Sequence, residues 1–201
     1  VAGAHGKTTT SSMLSCITYD CGLDPTIVVG GIVNNLGSNA ANGKSDYVVA
    51  EADESDGSFL KFRPYIAVVT NIEDDHLDHY GSEENIQKAF AQFVSQIKEE
   101  GCAVLCYDNA KVRTIGEHTD KRVISYGIDS TDADYQAKNI VYGTDGTHYD
   151  VVYKGEIIGR GHLIIPGRHN VLNSLGAIAA ARELGLPLDG ILASLEKFSG
   201  A

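Results

Sequence analysis

The chain has 201 residues, 43% of them hydrophobic, which is enough for one substantial core and short enough to read as a single domain. Its 27 acidic residues against 16 basic ones leave a formal charge of -11 that repels nucleic acid and anionic membrane, and no block of Lys or Arg compensates. No apolar run approaches the roughly 20 residues of a membrane helix and no basic-then-apolar leader is present, so the expectation is a cytoplasmic protein with neither a nucleic-acid nor a membrane partner.

The first chemical signal is Gly3-Ala4-His5-Gly6-Lys7-Thr8-Thr9-Thr10. Its glycines allow a tight turn whose amides point into one concavity, and a helix starting there adds its positive end, so the stretch predicts a phosphate cradle. Lys7 supplies a point charge and Thr8 a hydroxyl suited to bound Mg2+. The full G-x-x-x-x-G-K-[ST] spacing would want glycine where Val1 stands. A buried strand is expected before such a loop, yet only Val1 and Ala2 precede it, and the chain reads as a domain cut from a longer protein.

A helix is predicted over Thr8 to Asp20, closed at Gly22, then a short strand over Thr26 to Val29 and a loop over Gly30 to Gly37 placed for ligand contact or plain connection. Asp46 to Ala52 reads as a buried parallel strand ending in acids, with Glu51 positioned to meet a cation. The turn from Asp53 to Ser58 reads as mostly solvated. Tyr65 to Asn71 is a second such strand, and the polar cluster after it, Glu73, Asp74, Asp75, His76, Asp78 and His79, suggests a second divalent site.

Ser82 to Glu100 is predicted helical with Phe90, Phe93, Val94 and Ile97 as a core stripe. Ala103 to Tyr107, Asn109 to Gly116 and Val123 to Tyr126 continue the strand and helix alternation, giving a P-loop-type, doubly wound, mostly parallel α/β sheet with helices on both faces. Runs over Gln136 to Tyr142, His148 to Tyr153 and Glu156 to Ile165, separated by Asp145-Gly146 and Lys154-Gly155, predict a small antiparallel β appendage, with Arg160 and His162 on its exposed face. His169 and Asn173 open a helix ending at Gly185, either as caps or as readers of a purine edge, and Leu188 to Phe198 makes a last helix. Cys16, Cys21, Cys102 and Cys106 read as reduced core residues, and Cys102 with Cys106 as half a zinc site at best.

Taken together, the loop from Gly3 to Thr10, Glu51-Ala52-Asp53-Glu54-Ser55-Asp56, Asn71-Ile72-Glu73-Asp74-Asp75-His76-Leu77-Asp78 and His169-Asn170-Val171-Leu172-Asn173 resemble the Mur ligase family across essentially the whole chain. The resemblance implies that residues 1–201 are a central ATP-binding domain whose flanking domains, one for a UDP sugar and one Rossmann-like, lie elsewhere in a parent chain. It implies ATP contacts from Gly3, Ala4, His5, Gly6, Lys7, Thr8, Thr9, Asn71, His169 and Asn173, catalytic roles for Lys7, Glu51 and His76, and two Mg2+ ions held by Thr8, Glu51 and His76. The Glu-Ala-Asp-Glu-Ser-Asp run is most similar to the branch that joins L-alanine to UDP-N-acetylmuramate through an acyl phosphate. A ligase recycling a murein tripeptide, and a nucleotide-binding module without ligation, remain as alternatives. Some later members carry a carbamylated lysine after the His76 motif, where this chain has Ala91.

Overall fold

The structure is a computed structural model that describes residues 1–74 and 77–201. It opens with α1 (Lys7–Asp20), β1 (Thr26–Val33), β2 (Ser38–Ala41) and β3 (Val48–Ala50). A 3-10 turn over Ser58–Lys61 leads to β4 (Ile66–Val69), α2 (Leu77–Tyr80) and α3 (Glu83–Ser95). Then come β5 (Cys102–Cys106), α4 (Ala110–His118), β6 (Val123–Gly127), β7 (Tyr135–Gly143), β8 (Gly146–Tyr153) and β9 (Glu156–Leu163), and finally α5 (Arg168–Glu183) and α6 (Leu188–Lys197).

The strands form two ladders, β2-β1-β3 and β4-β5-β6-β7-β8-β9. Val1 and Ala2 join them. The Val1 amine donates to Ala50 O at 2.9 Å and Val1 O accepts from Ala52 N at 2.7 Å on one side. On the other, Ala2 N donates to Val68 O at 2.8 Å and Ala2 O accepts from Thr70 N at 3.0 Å. Two residues of extended chain thus make one continuous sheet of two ladders.

β5 shows why helices cover both faces. All five of its residues are buried; Cys102, Val104 and Cys106 meet the core under α1, α5 and α6, while Ala103 and Leu105 meet the core under α3 and α4. The predicted aromatic stripe sits in this second core, with Phe59 against Phe90 and Phe93 at 5.1 Å between ring centroids in each pair. Cys102 and Cys106 share a face, but at about 3.3 Å per strand residue they stand about 13 Å apart, which removes the half zinc site. Burial pushes the Cys16 and Cys106 thiols up to about 12; Cys21 is only half-buried.

Two segments differ from the sequence expectation, and the expected antiparallel strands join the main sheet. The segment after Val29 continues as strand to Val33 and turns back through β2 in an antiparallel pair. α3 stops at Ser95 because the Gln96 carboxamide donates to Leu60 O and Phe62 O, 2.8 Å each, and Lys98 N donates to Pro64 O, drawing the chain toward β4. The antiparallel strands extend the main sheet: β7 runs parallel to β6, and β8 and β9 add to its other side.

α1 is buried from Thr10 to Thr18 on every side, between the sheet and α5 and α6. Ser15 and Thr18 return their hydroxyls to the carbonyls of Ser11 and Leu14, whereas Thr10 Oγ1 and Ser12 Oγ find no partner among the described residues. An unsatisfied buried hydroxyl costs about 1–3 kcal/mol. Ser12→Ala is therefore expected to stabilise the fold by about 1 kcal/mol, seen as a melting temperature roughly 2–4 °C higher. A comparable drop in thermal unfolding would mean that the hydroxyl is satisfied.

Candidate functional site

The loop between the joining strand and α1 lies at the carboxyl ends of β3 and β4. Gly3 has φ 146° and a side chain there would run into Thr70 Oγ1. Gly6, the residue before α1, has φ 84°, and an added Cβ would lie 2.5 Å from Asn173 Oδ1. The turn is held from beneath by the end of β4. Asn71 Oδ1 accepts from His5 N at 2.8 Å, Asn71 Nδ2 donates to His5 O at 2.8 Å, and Thr70 Oγ1 donates to His5 O at 2.6 Å. Asn71 therefore spends both ends of its amide on shaping the loop. The His5 ring lies outside, with Nε2 2.9 Å from Glu73 Oε2.

Gly6 brings no capping side chain, and among the described residues the amides of Lys7, Thr8 and Thr9 at the α1 start find no acceptor, while the helix dipole adds positive potential there. Lys7 Nζ donates to Gly3 O at 3.1 Å and to both carboxylate oxygens of Glu54 at 3.0 Å. The pair is recessed, with side-chain exposures of 19% for Lys7 and 3% for Glu54. Thr8 Oγ1 donates to the Glu51 carboxylate at 2.9 and 3.0 Å, and Glu51 Oε2 also accepts from Gly30 N at 2.7 Å. Gly30, in the segment left open as ligand contact or connection, thus orients the acid.

The turn after β3 is largely solvent-facing, with Asp53 and Asp56 exposed, and Glu54 is its buried member. Asp53 Oδ1 accepts from Ser55 N at 2.9 Å, and these bonds to Ser55 hold the Asp53 carboxyl below the usual carboxylate range. The Tyr80 hydroxyl donates to Glu54 O, and burial pushes that phenol up to about 12. Glu54 is the site residue that the sequence reading missed. Its signal was indirect: a recessed lysine needs a counter-ion, and a second carboxylate stands three residues after Glu51.

α5 brings Asn173, 8% exposed, against Gly6, while His169 one turn earlier is exposed and its ring lies over Gly167. The two share a helix face but differ in burial. His76 and Asp75, expected in a second metal site, lie outside the described residues. A cavity of about 650 Å³ runs along β3 and β4 beside Val1, from Tyr47, Phe62 and Tyr65 to Ala50, Ala52 and Val68, and no residue of the loop from Gly3 to Thr9 lines it. What the loop offers is an anion site built from helix amides and an ammonium, beside a hydroxyl and a carboxylate whose hard oxygens suit Mg2+.

The Mur ligase middle domain profile matches residues 1–181. Over the full chain, the sequence is 48% identical to UDP-N-acetylmuramate--L-alanine ligase from Pelotomaculum thermopropionicum and 50% identical to the same-named protein from Syntrophomonas wolfei, spanning 44% of the length of each. Among solved structures, the UDP-N-acetylmuramate-alanine ligase of Thermotoga maritima superposes with a TM-score of 0.89 at 29% identity, over all of this chain and 44% of that one. The UDP-N-acetylmuramate:L-alanyl-gamma-D-glutamyl-meso-diaminopimelate ligase of Neisseria meningitides gives the same TM-score at 31% identity, over all of this chain and 65% of that one.

Gly6 tests the loop geometry. Gly6→Ala is expected to destabilise the fold by about 2 kcal/mol, from the left-handed backbone together with the approach of Asn173. In a double-mutant cycle with Asn173→Ala, about 1 kcal/mol of coupling should appear by denaturant unfolding. Strict additivity would mean that the two residues do not touch.

Proposed function

The chain belongs to the Mur ligase family, and from that membership we propose that residues 1–201 are the central ATP-binding domain of an enzyme joining L-alanine to UDP-N-acetylmuramate. The activity belongs to the whole parent protein, since the chain spans less than half the length of the curated relatives it matches. The names of those relatives support the choice of amino acid. The observation that carries the reading is the recessed Lys7 beside the open α1 amides, with Thr8 and Glu51 paired next to it.

In this reading the loop from Gly3 to Thr9 wraps the ATP phosphates, and Lys7, held ready between Gly3 O and Glu54, contacts the β and γ phosphates. Thr8 and Glu51 would hold Mg2+, which when bound offsets phosphate charge and aligns the γ-phosphoryl group. A second ion would need His76. Asn71 fixes the loop through His5, and Asn173 with His169 borders the adenine. The sugar carboxylate takes the γ-phosphoryl group, releasing ADP; the amino group of L-alanine then attacks the acyl phosphate, forming the amide and releasing phosphate. Phosphoryl transfer asks for alignment and charge neutralisation more than covalent participation, and these residues supply both. The flanking domains would bring the UDP sugar and the amino acid, and the enzyme would work in the cytoplasm; among the described residues no helix is long and apolar enough to cross a membrane.

The recycling ligase for a murein tripeptide remains the second reading, because the Neisseria structure matches as well in shape as the alanine ligase does. Acceptor-dependent phosphate release by the full-length parent separates them. With ATP, Mg2+ and UDP-N-acetylmuramate, release should depend on L-alanine; dependence on tripeptide would move the function to recycling, and release with neither acceptor would leave a plain nucleotidase. The 201-residue chain alone should form no amide product. Lys7→Ala should weaken ATP binding by roughly 100-fold, the scale of one strong charge-assisted contact, with the fold intact by circular dichroism; unchanged affinity in a titration would overturn the assignment.

A further inference from the structure

Away from the loop, the outer hairpin of the sheet gathers a second set of donor groups. β8 and β9 pair antiparallel with His148 directly opposite His162, and the two imidazoles stack with centroids 4.1 Å apart and planes 8° from parallel. Both Nε2 atoms face Asp145, in the turn between β7 and β8. His148 Nε2 lies 3.0 Å from Asp145 Oδ2, and His162 Nε2 lies 4.0 Å from that oxygen and 2.7 Å from Asp145 O. The three donor atoms fall within 4.8 Å of one another.

A separate element orients one of these rings. Glu196, on α6, places Oε1 3.1 Å from His162 Nδ1. A carboxylate on the far ring nitrogen holds the Nδ1–H and raises the basicity of the ring, as metal-ligating histidines require, so that Nε2 can coordinate once it gives up its proton and its bond to Asp145 O. Beside the rings, on the side of α6, a cavity of about 350 Å³ is lined by His148, His162, Arg160, Asp189, Leu192 and Glu196. Arg160 is turned aside, its guanidinium 2.9 Å from Asp150, so it does not neutralise the carboxylates.

We propose that Asp145, His148 and His162 form a site for a divalent transition metal of the zinc class, with Glu196 as the orienting carboxylate and a fourth position open to water. Two imidazoles with one carboxylate select Zn2+, Co2+ or Ni2+ over Mg2+, whose preference is for oxygen alone. Coordination needs shifts of about 1 Å to bring three donors to about 2.1 Å from one ion, with His162 Nε2 exchanging its bond to Asp145 O for the metal. The exposed face predicted for His162 becomes a clip tying the hairpin turn to β9 and, through Glu196, to α6. The site is independent of the nucleotide reading.

The test is titration of the tag-free, chelator-treated 201-residue chain with ZnCl2 in the presence of excess Mg2+, followed by calorimetry and by the histidine Cε1 resonances in NMR. One equivalent of Zn2+ should bind and shift the His148 and His162 signals together. His148→Ala should remove that equivalent, while Asp145→Asn, at an exposed position that leaves packing unchanged, and Glu196→Gln should each weaken it by about 10–100-fold. The proposal is overturned if Zn2+ leaves both resonances in place, or if Asp145→Asn and His148→Ala bind as the unaltered chain does.

Discussion

Four backbone hydrogen bonds from two residues hold the molecule together as one sheet. Val1 and Ala2 lie between β3 and β4, bonded to Ala50 and Ala52 on one side and to Val68 and Thr70 on the other. Without them the two ladders share no strand pairing among the described residues. The chain leaves this strand through α1 toward β1 and β3 on one side, and later returns to β4 on the other. Such a switch in direction opens a crevice beyond the strand ends, where α/β sheets bind ligands. Glu51 and Asn71 stand at the ends of the flanking strands for that reason, and the loop from Gly3 to Gly6 crosses between them.

Charge in this crevice is handled locally, against a net -11 for the chain. Lys7 is recessed, and leaving its ammonium unpaired there would be costly; Glu54 and Gly3 O supply its partners. Glu51 is likewise committed, to Thr8 and Gly30. These contacts keep the charged groups in place, so that an incoming phosphate and cation meet donors already oriented and lose less to ordering.

The phosphate loop was legible in the sequence because its chemistry depends on spacing along the chain: glycines, a lysine and a threonine in one turn. The strands ending at Glu51 and Asn71 were legible as apolar runs closed by polar residues. The β8 to β9 turn was also marked, since Lys154 and Gly155 both take positive φ, 48° and 86°, as a tight hairpin turn demands. Glu54 was not, because a carboxylate in an acidic turn looks the same whether solvated or buried until Tyr80 and the 3-10 turn fold over it. β2 escaped because Ser38-Asn39-Ala40-Ala41 has little strand propensity and pairs only through β1. The resemblance treats His169 and Asn173 alike; packing separates them, one against Gly6 and one exposed. The facing of His148 and His162 is a matter of register across a hairpin, which composition does not carry.

The most direct measurement of the central claim is an amide NMR titration of the 201-residue chain with Mg-ATP. If the crevice at the α1 start is the nucleotide site, the largest shifts fall on Gly3 to Thr9, with Glu51, Glu54 and Asn173 following and the hairpin of His148 and His162 unmoved. Shifts centred instead on Tyr47, Phe62 and Tyr65, around the cavity along β3 and β4, would contradict the account.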